Sequence, residues 1–228
     1  MASFKAKSRR GFTLIEVLVT VAIVAVVALI AAPSMKNFIQ MQRLKSVSSE
    51  LMTNLQFARS EAVARGLVVG VRFQAYPNGS GMTCYTIASR VTNGCVASTL
   101  DACDCTRGPG AACDASVALS ERWVELKTVV IPNSLGVLAE PRPRWRVNFP
   151  VSFDPTSGGL LYTNCNHVGA LVRPFEAEVT RASPIAGRLQ TVVSPTGRPS
   201  MCSCEGNVPG YPTCTGTATC PPLPPSPP

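Results

Sequence analysis

From Phe12 to Met35 the chain reads FTLIEVLVTVAIVAVVALIAAPSM, an apolar run of 24 residues with a single charge, Glu16. As a helix it is about 36 Å long at about 1.5 Å per residue, enough for a hydrocarbon core of about 30 Å. Leu, Ile, Val and Ala occupy every angle, so the run lacks the polar face of an amphipathic core helix. It predicts a transmembrane helix over 12–35. From Lys36 onward the pattern changes. Phe38, Met41, Leu44, Val47, Leu51, Leu55, Ala58 and Ala62 advance by three or four, which predicts one buried stripe through residues 36–66. Lys45, Glu50, Arg59, Glu61 and Arg65 fall at other angles, and Gly66 supplies a C-cap. Pro33 lies inside the helix, where it removes a backbone hydrogen bond and clashes one turn back. A kink or local melting is expected there.

Beyond Gly66 the period shortens to two. LVVGVRFQAY, the turn segment PNGSG and MTCYTIAS predict a β-hairpin. RWVELKTVVIP, PRPRWRVNFPVSFDP, SGGLLYTN and GALVRPFEAEVTR predict further strands, and RLQTVVSP the last, ahead of the turn TGRP. The expected fold class is α+β: a long N-terminal helix packed on an antiparallel β-sheet domain over residues 67–204. Residues 92–116 read as a cysteine-rich insertion loop. Residues 205–228 form a Cys- and Pro-rich tail ending PPLPPSPP, which favours polyproline II and is expected to be solvated.

Charge and cysteine content add a topology. Half of the formal net charge of +8 sits before the apolar run, in Lys5, Lys7, Arg9 and Arg10. Positive charge ahead of a span keeps the N-terminus cytoplasmic. All ten cysteines, Cys84, Cys95, Cys103, Cys105, Cys113, Cys165, Cys202, Cys204, Cys214 and Cys220, then fall on the far side of the membrane. An even count in an oxidising compartment is read as a disulfide framework whose connectivity spacing alone leaves open. Cys103 and Cys105, and Cys202 and Cys204, are C-x-C pairs. Structural zinc favours two to four intervening residues, so disulfides to separate partners are the better account and no metal is expected.

Glu16 is the unusual residue. A carboxylate at bilayer depth costs on the order of 3 kcal/mol, and such groups tend to be paired and functional. The run offers it no Lys, Arg or His. A cut after Gly11 would give Phe12 a free α-amine, and that amine could neutralise Glu16 of an axially staggered neighbour.

The tract KSRRGFTLIEVLVTVAIVAVVALIAAPSM resembles the leader of type IV prepilins and type II secretion pseudopilins. The resemblance implies a leader over 1–11, cleavage by the prepilin peptidase between Gly11 and Phe12, and N-methylation of Phe12. It also implies an assembly and register role for Glu16 and a helix-breaking role for Pro33. NLQFARSEAVARG, VSFDPTSGG and LQTVVSPTGRPSMC are in turn similar to the GspH/FimT group of minor pilins and pseudopilins. The insertion at 92–116 and the tail after Cys204 depart from that pattern.

Other chemistry finds little support. His167 is the sole histidine, no nucleophile motif surrounds it, and no phosphate-binding glycine loop is present. No enzyme activity and no cofactor are expected. Arg142, Arg144 and Arg146 alternate and would share one face of a strand, with Arg173, Arg181, Arg188 and Arg198 further on. Converging arginines would bind DNA phosphates. The G-R-x-R-type motif associated with DNA uptake in the FimT branch is only partly matched, by Gly197 and Arg198, with Ser200 in place of the second arginine. A solvated arginine-bearing sheet face is favoured over DNA contact.

The combined expectation is a non-enzymatic minor pilin at or near the tip of a type IV pilus, its partners other minor pilins and the major pilin. Before assembly it would sit in the bacterial inner membrane with its globular domain in the periplasm. The alternatives are a type II secretion pseudopilin of the protein H kind and a DNA-binding minor pilin for transformation.

Overall fold

The helix α1 runs from Leu14 to Arg65, and both its ends are set by local chemistry. Thr13 precedes it as N-cap, its hydroxyl accepting from the Glu16 amide at 3.3 Å and its carbonyl from Val17 at 3.2 Å. T-x-x-E at a helix start is the capping-box spacing. At the other end Gly66 adopts φ 62°. Its amide donates to the Val63 carbonyl and that of Leu67 to Ala62, the two bonds of a Schellman motif. The structure is a computed structural model that describes residues 12–75, 83–92, 103–119, 122–142, 151–161, 175–181, 187–206, 208–215 and 220. The side chains of 30–34, 75, 142, 181 and 205 lie outside it.

The chain divides into two compact units, Met1–Ile39 and Gln40–Pro228. In the first, Phe12 is 81% exposed and the described apolar side chains of α1 are exposed as far as Leu29 at 77%. Among the described residues no helix is long and apolar enough to cross a membrane. The apolar stretch whose side chains are described stops at Leu29, short of the roughly 20 residues a span takes. The helical backbone continues unbroken through Pro33, so the local melting that was one of two expected outcomes does not occur. Phe38 also departs from the predicted stripe. It is exposed, because it belongs to the first unit and precedes the part of the helix that packs into the second unit's core.

In the second unit the rest of the stripe packs inward, Met41 half-buried and the others buried. Leu44, Val47, Leu51, Leu55, Ala58 and Ala62 join one core with residues of two antiparallel sheets. The strands are β1 (Val69–Ala75), β2 (Thr83–Arg90), β3 (Trp123–Ile131), β4 (Val137–Arg142), β5 (Val151–Phe153), β6 (Leu160–Leu161), β7 (Phe175–Arg181), β8 (Arg188–Val193) and β9 (Pro199–Ser203). One sheet has the order β3-β2-β1-β5-β6 and the other β4-β7-β8-β9. The expected hairpin is β1–β2, with Phe73 opposite Tyr85. Phe73 also stacks on Phe175 of the other sheet, with ring centroids 5.8 Å apart, so one aromatic ring ties both layers. Strand β9 is an addition. RLQTVVSP was expected to end the sheet, yet Pro199–Ser203 pairs with β8 as an edge strand, where a leading proline forfeits no ladder bond.

All of β2 is buried. Its inner face meets the helix core. Its outer face carries Cys84, Thr86 and Ala88 beneath the loop of residues 103–113. That loop is held by the Cys84–Cys105 and Cys103–Cys113 disulfides. Arg72 donates to the Cys103 carbonyl at 2.7 Å, and Glu125 accepts from the Gly110 and Ala112 amides at 2.8 and 2.9 Å. Residues 103–113 thus form an outer cover for the sheet.

The segment after Cys204 also contributes to the domain. Val208 is 1% exposed in the main core, and Lys45 donates to the Pro209 carbonyl at 2.8 Å. Cys202–Cys214 and Cys204–Cys220 tie the tail to the end of β9, so residues 208–214 are anchored to the domain although Pro209, Gly210, Pro212 and Thr213 stay exposed. Cys95, Cys165 and the proline run after Cys220 lie outside the described residues.

Candidate functional site

Two places concentrate the residues singled out by sequence. The first is the start of α1. Phe12 is 81% exposed and Glu16 is exposed one turn on, on a helix face with no partner among the described residues. Gly11 lies outside the described residues, as does the side chain of Pro33. Thr13 was not singled out, although the T-x-x-E spacing signals its cap. Its bond leaves the Glu16 amide satisfied within the helix end and its carboxylate facing outward.

The second place joins three motifs far apart in sequence. Arg59, from FARSEA on the buried half of α1, donates through Nε to the Gly158 carbonyl at 3.1 Å. Gly158 closes the β5–β6 turn DPTSGG with φ 65° and donates to the Asp154 carbonyl at 2.9 Å. Gly197 of the β8–β9 turn, at φ 77°, lies against it: a Cβ there would stand 1.8 Å from the Gly158 carbonyl oxygen. Only glycine permits so close an approach of two turns. The Leu160 amide, donating to the Pro195 carbonyl at 2.9 Å, completes the junction. Asp154 organises it. Its Oδ1 accepts from the amides of Thr156 and Ser157, at 2.9 and 2.7 Å, and from both hydroxyls. Burial pushes the Asp154 carboxyl up, but those hydrogen bonds outweigh it and hold its pKa below the usual value. The junction is a positioning device that presents two turns beside a helix. It brings no nucleophile and base together.

Of the arginines that the sequence singles out for DNA contact, the two whose side chains are described, Arg188 and Arg198, differ in setting. Arg188 is buried and ion-paired with Glu178 at 3.7 Å, so it does not belong to an exposed basic face. The backbone register sets Arg142 opposite Glu176 and Glu140 opposite Glu178, which makes this sheet mixed in charge. Arg198 is exposed in the β8–β9 turn; Arg144, Arg146, Arg173 and His167 lie outside the described residues. Lys127 donates to Asn54 Oδ1 at 2.8 Å, and Asn54 Nδ2 donates to the Tyr85 hydroxyl at 2.6 Å. Burial of Tyr85 raises its pKa well above that of a free tyrosine. This relay satisfies buried polar groups and is structural. A cleft of about 610 Å³ opens between β3 and residues 109–115, lined by Arg122, Trp123, Glu125 and Lys127 among others. Arg122 and Glu125 are already engaged with loop backbone there.

Comparison with known proteins finds two family matches. Residues 6–32 match the prokaryotic N-terminal methylation motif. Residues 48–201 match the type II transport protein GspH, and span all three motifs of the turn junction. No curated protein matches. Among solved structures, one crystal form of the type IV minor pilin FimU of Pseudomonas aeruginosa is 17% identical, with a TM-score of 0.42 over 72% of this chain and 91% of that one. A second crystal form is 16% identical, with a TM-score of 0.39 over 69% and 90%.

Proposed function

Because the chain belongs to the GspH family and carries the prepilin methylation motif, we propose that it is a minor pilin at or near the tip of a type IV pilus. It is processed by the prepilin peptidase after Gly11 and N-methylated on Phe12. The apolar run over 12–35 holds the precursor in the inner membrane, with the basic leader on the cytoplasmic side and the globular unit in the periplasm. On assembly the same helix exchanges lipid for the helices of neighbouring subunits, where burial of apolar surface favours association. Glu16 neutralises the α-amine of an adjacent subunit and so sets axial register. The protein performs no reaction. It contributes shape, and the turn junction offers loops to other minor pilins.

The observation that carries this reading is the first helical half: apolar residues exposed on every side, with one acid a turn from the cleavage point. A subunit with that face needs a second apolar environment. Glu16→Ala is expected to leave membrane insertion intact and to abolish incorporation into filaments, scored by immunoblot of sheared filaments against membranes. Normal incorporation would remove the register role.

The family's own description favours a second reading, a type II secretion pseudopilin. Deletion separates the two: loss of surface filaments with exoprotein release intact supports the pilus, and the reverse supports secretion.

A further inference from the structure

The two C-x-C pairs have the same spacing and different surroundings. Cys202 lies in β9 and Cys204 directly follows it. The tail then returns alongside. Thr213 bridges Ser203 in parallel, and the Ser203 amide donates to the Pro212 carbonyl at 2.7 Å. The Cys214 amide donates to the Ser203 carbonyl at 3.0 Å, which lays Cys214 alongside the Cys202–Cys204 segment. The consequence is a sulfur cluster drawn from two separate disulfides. The Sγ atoms of Cys204, Cys214 and Cys220 all lie within 4.8 Å of one another, though Cys214 is bonded to Cys202 and Cys220 to Cys204. Among the described residues this is the one such group, and the loop disulfides do not form another. Being disulfides, these sulfurs are not thiolate ligands.

Burial differs across the cluster. Cys204 is 1% exposed, whereas Cys202, Cys214 and Cys220 are half-buried. Gln190, fully buried, lies beneath, its Oε1 3.8 Å from Cys204 Sγ and 3.7 Å from Cys220 Sγ. Its amide donates to Glu176 at 2.6 Å, which directs the oxygen toward the sulfurs.

We propose that this cluster is a thiol–disulfide exchange site, serving an external dithiol of the oxidoreductase class, through which the tail changes its pairing. A thiolate of the dithiol attacks the accessible Cys220 Sγ and breaks the Cys204–Cys220 bond, with Cys204 leaving as thiolate. The second thiol of the reagent resolves the mixed disulfide and departs as a cyclic disulfide, and Cys220 takes up a proton. The dithiol is thereby oxidised by two electrons and one protein disulfide is reduced. The Cys204 thiolate then attacks Cys214 Sγ, forming Cys204–Cys214 and expelling Cys202 as a thiolate that water protonates. This second step is redox-neutral. It needs only side-chain approach across the 4.8 Å cluster, because the Ser203–Cys214 hydrogen bond already holds the backbones together. Exchange rates rise with proximity and access of the attacked sulfur. Half-buried Cys220 is more open than the fully buried Cys84–Cys105 bond, and although Cys113 is half-buried too, the described loop sulfurs form no such cluster. The outcome frees Cys220 and ties the tail to β9 through a shorter loop. The inference does not depend on which machine the subunit serves.

The test uses the full chain in detergent, pulsed with limiting dithiothreitol and quenched with iodoacetamide. Tandem mass spectrometry then locates the alkyl labels. Label on Cys202 together with Cys220, with Cys84–Cys105 and Cys103–Cys113 intact, is the expected result. Label on Cys204 together with Cys220, and none on Cys202, would overturn the exchange step, as would simultaneous opening of the loop disulfides. In Cys220→Ser, where no reductant is needed, the free thiol is expected to divide between Cys202 and Cys204. A thiol confined to Cys204 would refute the proposal. If that variant loses its circular dichroism signal, the pulse on the unaltered chain decides alone.

Discussion

Leu29 and Leu51 stand on the same helix, 77% and 0% exposed. Apolar character does not separate them, because the first half of α1 is the more apolar of the two. What differs is periodicity. In the second half polar residues alternate with an apolar stripe, and one face is buried in the core of the second unit. In the first half every face is alike, so no single contact within the chain would cover it. The lesson is that an evenly apolar helix is built for an environment, and a striped one for a partner surface.

This contrast can be broken or sharpened in order of effect. Replacing Gly11 by a bulky residue is expected to leave the whole population as uncut precursor, read as a band shift; a mature-size band would remove the leader assignment. Leu51→Ala should cost about 2–5 kcal/mol of domain stability by loss of transfer energy and creation of a cavity, measured by denaturant titration. Gly197→Ala tests the turn junction that Arg59 closes. The strained backbone and the clash with the Gly158 carbonyl should cost about 2–4 kcal/mol, and less than 1 kcal/mol would mean the turns relax freely. At the small end, Val24→Ala should change domain stability by no more than about 0.5 kcal/mol while still weakening filament incorporation.

Acid sensitivity offers a further probe of the junction. The Asp154 pKa is lowered in the fold, so its contribution is fully present above the unfolded carboxylate value of about 3.9. It is lost as pH falls through the lower folded value. Asp154→Asn should flatten the stability profile between neutral and strongly acidic pH. An unchanged profile would show that other carboxylates govern it.

The elements governed by near neighbours were legible. The β1–β2 hairpin, the buried stripe from Leu44 to Ala62 and the Gly66 cap follow from periods and turn residues within a few positions. The Thr13 cap carries a signal of the same local kind, its spacing to Glu16, although the apolar run on both sides of that acid masks it. The three family motifs were readable as strings, but their convergence on Gly158 was not. Nothing in the spacing of Arg59, Gly158 and Gly197 says that two turns meet against a helix. Strand β9 was hidden for a related reason: PSMCS has no strong alternation, and only pairing with β8 makes it a strand.

The sequence by itself determined the helix, its two regimes, the basic leader with Glu16 beyond it, and the β-rich character of the chain past Gly66. Each depends on the chemistry of residues within one or two turns of each other. Tertiary structure alone decided the division into two sheets, the cover over β2, the place of Val208 in the core, and which sulfur meets which. Those outcomes are set by which distant surfaces exclude water together, and chain spacing carries little record of that.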